Sequence, residues 1–289
     1  MMGAHGYNKT IIGKIKYTNA WPIFYYFNPD SLCEPTELIT AVPSLLNKGM
    51  NDGSIDIGAL SSFAYGLSSD KLLLLPNLSV SADGPVQSIL LFSRQPIESI
   101  INGTIAVTNT SATSVNLLKI LMNKALNGNP TYLSIEPDLK TMMEVADAAL
   151  LIGDNAIKAS WEDHGFYVTD LSAWWKEWTG YSMTFAVWAV HRNAAENKPE
   201  IIQDIVQALQ ASKHRSLSDL NPIVDEAMIT IGGTQDYWTT YFENLCYDFG
   251  EQQRQGLELY LRYAHELGLI QHEVAMEMWE ENTRIRVKE

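Results

Sequence analysis

The sequence predicts an α/β protein with two lobes, a cleft between them and a helical C-terminal region. Short apolar runs typical of strands alternate with runs of helical period between residues 10 and 190. The chain has 289 residues, enough to bury more than one core. Apolar residues make up 46% and charged residues 19% of it, which is typical of a compact protein and not of a disordered one.

The first set of elements fills residues 10–92. The apolar pattern predicts strands at Thr10 to Tyr17, Ile55 to Leu60, Lys71 to Leu75 and Val86 to Phe92. A helix is expected around Ala41 to Met50, between the first two strands. This alternation is typical of a mostly parallel sheet.

A second set follows. Thr104 to Thr108 and Ala148 to Ile152 are predicted strands, and Phe185 to Val190 is another. Ala112 to Leu126 has the pattern of a helix that Asn127-Gly128-Asn129-Pro130 stops. These elements are expected to form the second lobe.

The chain becomes almost wholly helical after Arg192, with amphipathic runs at Pro199 to Ser212 and Gly256 to Leu267. Since no flexible linker is present, the two lobes are expected to be joined by ordered segments, Ser88 to Arg94 and Phe185 to Arg192. The predicted division places residues 1–92 and 189–289 in lobe 1 and residues 93–188 in lobe 2.

The charge balance limits the class of partner. Twenty Lys and Arg against 34 Asp and Glu give a formal charge of -14, which repels nucleic acid and anionic lipid. No apolar run is long enough to cross a membrane, and the two cysteines have neither redox nor zinc spacing. We expect a cytoplasmic protein, because residues 1–16 have no secretory pattern.

The strongest candidate binding site is the strand-to-helix turn that contains Thr110, Ser111, Ala112 and Thr113. A helix start offers free N–H groups and the positive end of the helix dipole, and five hydroxyls cluster here where capping needs only one. The sequence therefore predicts an anion site that suits a carboxylate.

Further candidates lie at other predicted strand ends. Ser61 and Ser62 follow one strand, and Asn19 follows another, although a capped turn and an Asn turn explain them as well. Ser88 begins a predicted crossing strand, where serine is more often structural. Asp154, at a strand end of the second lobe, could equally cap the next helix.

Motifs of other enzyme classes are absent from the sequence. His272-Glu273 lacks the second His of H-E-x-x-H, no other cluster has ligand spacing, and we expect no metal. G-x-S-x-G, G-x-G-x-x-G and the Walker loop are missing as well, and none of the six His falls in the candidate segments. No cofactor is expected.

The ordered set of segments resembles the chorismate dehydratase family (the MqnA type) of the futalosine route of menaquinone biosynthesis, from Ile12 to about Arg286. Its carriers are the segments 17–22 (YTNAWP), 57–62 (IGALSS), 84–88 (GPVQS), 113–118 (TSVNLL), 151–156 (LIGDNA) and 178–181 (WTGY) leading to 185–189 (FAVWA). The resemblance implies a type II periplasmic binding protein fold. It also implies conversion of chorismate to 3-[(1-carboxyvinyl)oxy]benzoate with loss of water.

The resemblance also implies roles for particular residues. Asn19 and Ser88 match pocket positions of the family and are the expected catalytic residues. The expected substrate-binding residues are Tyr17, Ser61, Ser62, Ile89, Thr110, Ser111, Ala112, Thr113 and Asp154. With no His base in these segments, the enolpyruvyl carboxylate of the substrate is a candidate base.

Alternatives remain open from the sequence. A non-catalytic small-carboxylate-binding protein shares the implied fold, and so does the sister enzyme 1,4-dihydroxy-6-naphthoate synthase. Segment 17–22 differs from the start motif of that sister enzyme, which argues against it. The expected partner is a small molecule, with no nucleic acid or membrane, and the protein is expected to be a monomer or a homodimer.

Overall fold

The computed structural model describes residues 9–280. The predicted lobe limits at residues 1 and 289, and the end of the resemblance at Arg286, lie outside the described residues. The strands in chain order are β1 (Thr10–Ile15), β2 (Thr36–Ala41), β3 (Ile57–Ser61), β4 (Leu72–Ala82), β5 (Ile89–Ser93), β6 (Thr104–Thr108), β7 (Thr131–Ile135), β8 (Ala148–Ile152), β9 (Tyr167–Asp170), β10 (Met183–His191) and β11 (Leu245–Cys246).

The helices lie between these strands and after β10, where they take up most of the described chain. They are α1 (Trp21–Phe24), α2 (Pro43–Asp52), α3 (Ser62–Leu67), α4 (Ala112–Ile120), α5 (Leu139–Val145), α6 (Gly153–Ser160), α7 (Leu171–Thr179), α8 (Arg192–Asn197), α9 (Pro199–Ser218), α10 (Asn221–Thr230), α11 (Gln235–Asn244) and α12 (Glu251–Glu266). A short 3₁₀ turn, Thr18–Ala20, stands between β1 and α1.

Two mixed sheets organise the described residues. One has six strands in the order β11-β4-β10-β3-β1-β2, and the other has five in the order β7-β6-β8-β5-β9. Strands β1, β2 and β3 pair in parallel, as do β6, β7 and β8, whereas β10 and β5 each run antiparallel to their neighbours. These two sheets confirm the predicted α/β class, and the helices after β10 confirm the helical C-terminal region.

The chain passes between the sheets at segments other than the two predicted ones. Ile89–Ser93 pairs wholly within the five-stranded sheet, and Met183–His191 pairs wholly within the six-stranded sheet. The crossings therefore lie at residues 83–88 and 180–182, so Ser88 to Arg94 and Phe185 to Arg192 do not cross. The division into lobe 1 (residues 1–92 and 189–289) and lobe 2 (residues 93–188) stays a prediction. A division by sheets would place the limits a few residues away, at the two crossings.

Several predicted elements have different bounds. The strand predicted at Lys71 to Leu75 begins at Leu72 and continues to Ala82, because β4 pairs with β10 on both sides of an irregularity in the register. The helix predicted over Ala112 to Leu126 changes to a π turn at Leu121–Ala125 before it ends. The helical pattern from Pro199 extends to Ser218.

The C-terminal helices cover the six-stranded sheet and reach the second one. Trp188 of β10 and Trp238 of α11 are completely buried, as is Trp175 of α7, so these aromatic residues belong to the core. Trp161, at the end of α6, packs edge-to-face against Tyr237 with ring centroids 5.2 Å apart. The two sheets are thus held together by side-chain packing as well as by the crossings.

Candidate active site

A small inner cavity of about 50 Å³ lies where strand ends of both sheets meet. Five of the predicted site residues line it: Tyr17, Asn19, Ser61, Ile89 and Ser111. Its other lining residues are Ile15, Pro43, Ser114, Ile152, Gly153, Phe185 and Ala186. The sequence-based prediction of a site at strand ends therefore brings together residues that are distant along the chain.

The strand register explains why these residues meet. Strands β1 and β3 are parallel neighbours with Ile12 opposite Ile57, which puts residue 16 level with Ser61 at the same sheet edge. The antiparallel strand β10 adds Ala186 directly opposite Ser61. Carboxyl ends of parallel strands are where open α/β sheets bind ligands.

Asn19 stands in the 3₁₀ turn that follows β1. Its side-chain Oδ1 is buried and has no hydrogen-bond partner among the described residues, so it makes no Asn turn. A buried acceptor without a partner costs about 1–3 kcal/mol. Because Asn19 also lines the inner cavity, its amide is the best candidate there for contact with a ligand.

Tyr17 crosses from the first sheet to the second. Its hydroxyl donates to Thr110 Oγ1 at 3.3 Å, and its ring packs on Gly153. Gly153 has a φ of +57°, and a Cβ atom there would stand 3.1 Å from the Tyr17 ring. Glycine is required at this position because the backbone is left-handed and the tyrosine ring is close.

The start of α4 uses part of its hydroxyl set to build itself. Ser111 is the N-cap, since its Oγ accepts from the backbone N–H of Ser114 at 3.2 Å. Thr110 Oγ1 lies 2.8 Å from Thr108 Oγ1 and also accepts from Tyr17. The N–H groups of Ala112 and Thr113 precede the first helical hydrogen bond, so they can still donate to an anion.

Two predicted binding residues have structural partners instead of facing a cavity. Thr113 Oγ1 accepts from the backbone N–H of Phe63 at 3.0 Å, which caps α3 from the other sheet. Ser62 is fully buried, and its Oγ donates to the backbone oxygen of Thr184 at 2.7 Å. Their substrate-binding roles stay predictions.

Ser88, the second predicted catalytic residue, lies just behind the inner cavity. Its side chain is 1% exposed, and its Oγ lies 3.1 Å from the hydroxyl of Tyr241 and donates to Val86 O at 3.3 Å. Its backbone oxygen accepts from Gly153 N–H at 2.7 Å. Ser88 thus contacts the cavity wall through the backbone, and a catalytic role of its hydroxyl stays a prediction.

Asp154 follows Gly153 in the first turn of α6, whose N-cap is Ile152, so it does not cap the helix. Burial raises the pKa of the Asp154 carboxyl, and the Thr18 hydroxyl and N–H, which lie near it but outside hydrogen-bond geometry, act in the opposite direction. Its Oδ1 and the Thr18 Oγ1 are both buried without a hydrogen-bond partner among the described residues. Substrate binding by Asp154 stays a prediction.

A larger outer cavity of about 390 Å³ adjoins the inner one, and Ser111 lines both. It contains the predicted residues Thr110 and Ala112. The other lining residues are Ser44, Asn47, Val107, Thr108, Asn109, Val115, Asn116, Lys119, Tyr132 and Ser134. Its volume falls in the range of about 300–1,000 Å³ typical of small-molecule sites.

Several lining residues are absent from the sequence-based prediction. Pro43 and Asn47 belong to α2 in the first sheet's lobe, and Asn47 exchanges two hydrogen bonds with Ser61. Phe185 and Ala186 lie on β10, whose apolar run predicts only a strand. Ser114 is part of the hydroxyl-rich segment and could have been included on that signal.

No group of three or more His, Cys, Asp or Glu that could hold a metal occurs within residues 9–280. None of the helices in that part of the chain is both long and apolar enough to span a membrane. Neither cavity has a His, Asp or Glu among its described lining residues.

Comparison with known proteins matches residues 10–266 to the family model for menaquinone biosynthesis. A chorismate dehydratase of Thermus thermophilus is 32% identical over 274 residues, which cover 90% of this chain and 95% of that protein.

Solved structures agree with the fold. A structural-genomics protein of Archaeoglobus fulgidus superposes with a TM-score of 0.76 at 20% identity, over 92% of this chain and all of that one. The periplasmic aliphatic sulphonate binding protein of Escherichia coli gives a TM-score of 0.68 at 16% identity, over 97% and 94%. The predicted periplasmic binding protein fold is confirmed.

Proposed function

The chain belongs to the menaquinone biosynthesis family, and on that basis we propose that it is an enzyme that removes water from chorismate. The observation that carries this proposal is the 32% identity with a chorismate dehydratase over 90% of the chain. The reaction forms 3-[(1-carboxyvinyl)oxy]benzoate, an early step of menaquinone biosynthesis by the futalosine route. It makes the protein a carbon–oxygen lyase that needs no cofactor.

The chemistry sets three demands on the site. Chorismate has a proton on C3 that is vinylogous to the ring carboxylate, and a hydroxyl group on the adjacent C4. Loss of both gives an aromatic ring. The enzyme must stabilise charge that builds on the ring carboxylate, place a base near C3 and assist departure of the C4 hydroxyl.

We assign the stabilisation of the ring carboxylate to the start of α4. The N–H groups around Thr110 to Thr113 would bind it, and Ser88 is a second contributor. Asn19 orients the enolpyruvyl group or the C4 hydroxyl from the inner cavity. This assignment agrees with its unpartnered Oδ1, since a ligand group could supply the missing hydrogen bond.

The base in this proposal is the enolpyruvyl carboxylate of chorismate itself. The described residues that line the two cavities include no His, Asp or Glu that could take the proton. A carboxylate held close to C3 within the same molecule acts with a high effective concentration. Removal of the Asn19 side chain should therefore lower turnover more than binding, because it releases the group that carries the base.

One alternative is a binding protein without catalysis, which the likeness to a sulphonate-binding protein favours at the level of fold alone. Under either function we propose a cytoplasmic monomer or homodimer that acts on a small molecule. The sister activity, 1,4-dihydroxy-6-naphthoate synthase, is the other alternative, and the experiment below separates both alternatives from the dehydratase.

The test is incubation of the purified protein with chorismate, without metal or nucleotide. We expect loss of the cyclohexadiene absorbance and a product that is lighter by one water and aromatic. Unchanged chorismate together with a ligand-dependent rise in melting temperature would refute the dehydration of chorismate and favour a binding protein or the sister reaction.

Variants then test the site. Asn19→Ala should lower kcat about 10²-fold or more, with a smaller change in KM, as when one orienting group of a transition state is removed. Ser88→Ala should also lower kcat. The exposed residues Asn244 and Ser218 supply matched controls, Asn244→Ala and Ser218→Ala, which should keep full activity. Normal turnover by both site variants would contradict the assignment.

A further inference from the structure

The outer cavity carries a positive charge that the proposed mechanism does not use. Among its described lining residues, Lys119 is the only one that is charged at neutral pH. Its ammonium Nζ lies 5.6 Å from the ring centroid of Tyr132, which lines the same cavity. The lysines that form ion pairs within residues 9–280 are others: Lys124, Lys176, Lys198 and Lys213.

Helix α4 presents Lys119 and its own N-terminus to the same space. Ala112, Val115, Asn116 and Lys119 all line the outer cavity, at the spacing that puts residues on one helix face. A long side chain on a helix leans towards the N-terminus, and the lysine stem has four carbons that can reorient. The ammonium and the first-turn N–H groups therefore make the same cavity favourable for an anion, from two ends that are about 10 Å apart along the helix.

The size of the cavities decides where a ring compound could go. The inner cavity, about 50 Å³, is well below the range of about 300–1,000 Å³ typical of small-molecule sites. The outer cavity, about 390 Å³, is large enough for a cyclic carboxylate. Because Ser111 lines both, a ligand can place its ring in the outer cavity and one edge at the inner one.

We propose that Lys119 binds the ring carboxylate of the substrate in the outer cavity, while the dipole at the N-terminus of α4 acts on it from the other end of the cavity. The inference rests on the proposed function for the identity of the substrate, and its chemical class is a six-membered-ring carboxylate. In this arrangement the C3–C4 edge of the ring faces Asn19, and Lys119 takes the place of Ser88 as the second contributor to the carboxylate site. The enolpyruvyl carboxylate stays free of the lysine and keeps its basicity.

Electrostatics favour this placement. The protein has a formal charge of -14, and an exposed acid, Glu136, accepts from the side chain of Asn109, which lines the outer cavity. An anionic substrate therefore needs a local cation to offset the field. Removal of the C3 proton adds negative charge to the ring carboxylate, so an ammonium there stabilises the transition state more than the ground state.

The binding test compares benzoate with benzamide, which has the same shape without the charge, by calorimetry. The wild-type protein should prefer benzoate. Lys119→Gln should lower the affinity for benzoate about tenfold, which corresponds to one charge-assisted hydrogen bond, and leave the affinity for benzamide unchanged. Lys119→Arg should restore most of the preference, and Lys124→Gln, on the next turn and paired with Glu266, should change nothing.

Equal weakening of both ligands in Lys119→Gln, an unchanged preference for benzoate, or no binding of benzoate by the wild type would each overturn the proposal. With chorismate, kcat/KM of Lys119→Gln should fall at least tenfold, with recovery in Lys119→Arg. If the wild type binds benzoate through Lys119 but does not turn over chorismate, the carboxylate site stands and the proposed function fails. If Lys119→Gln turns over chorismate as the wild type does, the proposed function stands and the carboxylate site at Lys119 fails.

Discussion

Replacement of Thr113 by valine tests how the two sheets hold the start of α4 in place. The change keeps the shape of the side chain and removes the hydroxyl that accepts from Phe63 N–H at 3.0 Å. Thr113 is 1% exposed and Phe63 is 7% exposed, so water cannot easily replace the lost partner. The orphaned N–H lies in the first turn of α3, where Ser61 already serves Ala64.

The expected loss is about 1–2 kcal/mol of unfolding free energy, the cost of an unpaired buried donor or a lost helix cap. For a domain of this size that corresponds to roughly 2–8 °C in melting temperature. Circular dichroism melts measure the loss, and amide hydrogen exchange locates it. The Phe63 amide should exchange faster in Thr113→Val and stay protected in Thr113→Ser, which keeps the hydroxyl.

A Thr113→Val protein with wild-type melting temperature and a protected Phe63 amide would refute the cross-sheet cap. If such a protein also bound chorismate more weakly, Thr113 would be a binding residue, as the sequence predicts, and not a structural one. A stability loss without a change in KM would favour the structural role.

Three further substitutions give clear expectations. Gly153→Ala should cost about 1–2 kcal/mol, because φ is +57° and the new Cβ meets the Tyr17 ring at 3.1 Å; a melt at wild-type temperature would contradict this. Asp154→Asn should raise the melting temperature at pH 7, because burial raises the carboxyl pKa and the charged form destabilises the fold. Since that penalty disappears as pH falls through the raised pKa, the gain should vanish below the ordinary value of 3.8, and a gain that persists there would contradict the cause. Tyr17→Phe should lose about 0.5–1.5 kcal/mol with its hydrogen bond to Thr110, measured by urea unfolding; an unchanged midpoint would show that the bond contributes nothing.

Burial explains which parts of the fold could be predicted from the sequence. Strands β6 and β8 match their predicted bounds because almost all their residues are buried, and a continuous apolar run is visible without a partner. The edge strands β2 and β7 were missed, since most of their residues are at least partly exposed and the pattern shows mixed polarity. The predicted crossings are wrong because the buried apolar runs pair within one sheet, whereas the chain crosses at short polar segments, 83–88 and 180–182, most of whose residues are at least partly exposed.

The site could be predicted where it depends on strand ends and not where it depends on contacts between helices and strands. Asn19 and Ser61 follow strands, so local pattern places them at a sheet edge. Asn47 and Lys119 belong to helix faces whose neighbours are strand residues, Ser61 for Asn47 and Tyr132 for Lys119. Helical spacing predicts which residues share a face but not which cavity that face meets.

The hydroxyl cluster before and within α4 shows how one segment can serve both structure and chemistry. Ser111 caps its own helix and Thr113 caps a helix of the other sheet, so these two side chains fix the direction in which the first-turn N–H groups point. A preorganised dipole stabilises an anion without the cost of reorientation, which is how a protein of charge -14 can hold a carboxylate with few cations. Substitutions that loosen either cap should therefore weaken carboxylate binding even where the lost hydroxyl never touches the ligand.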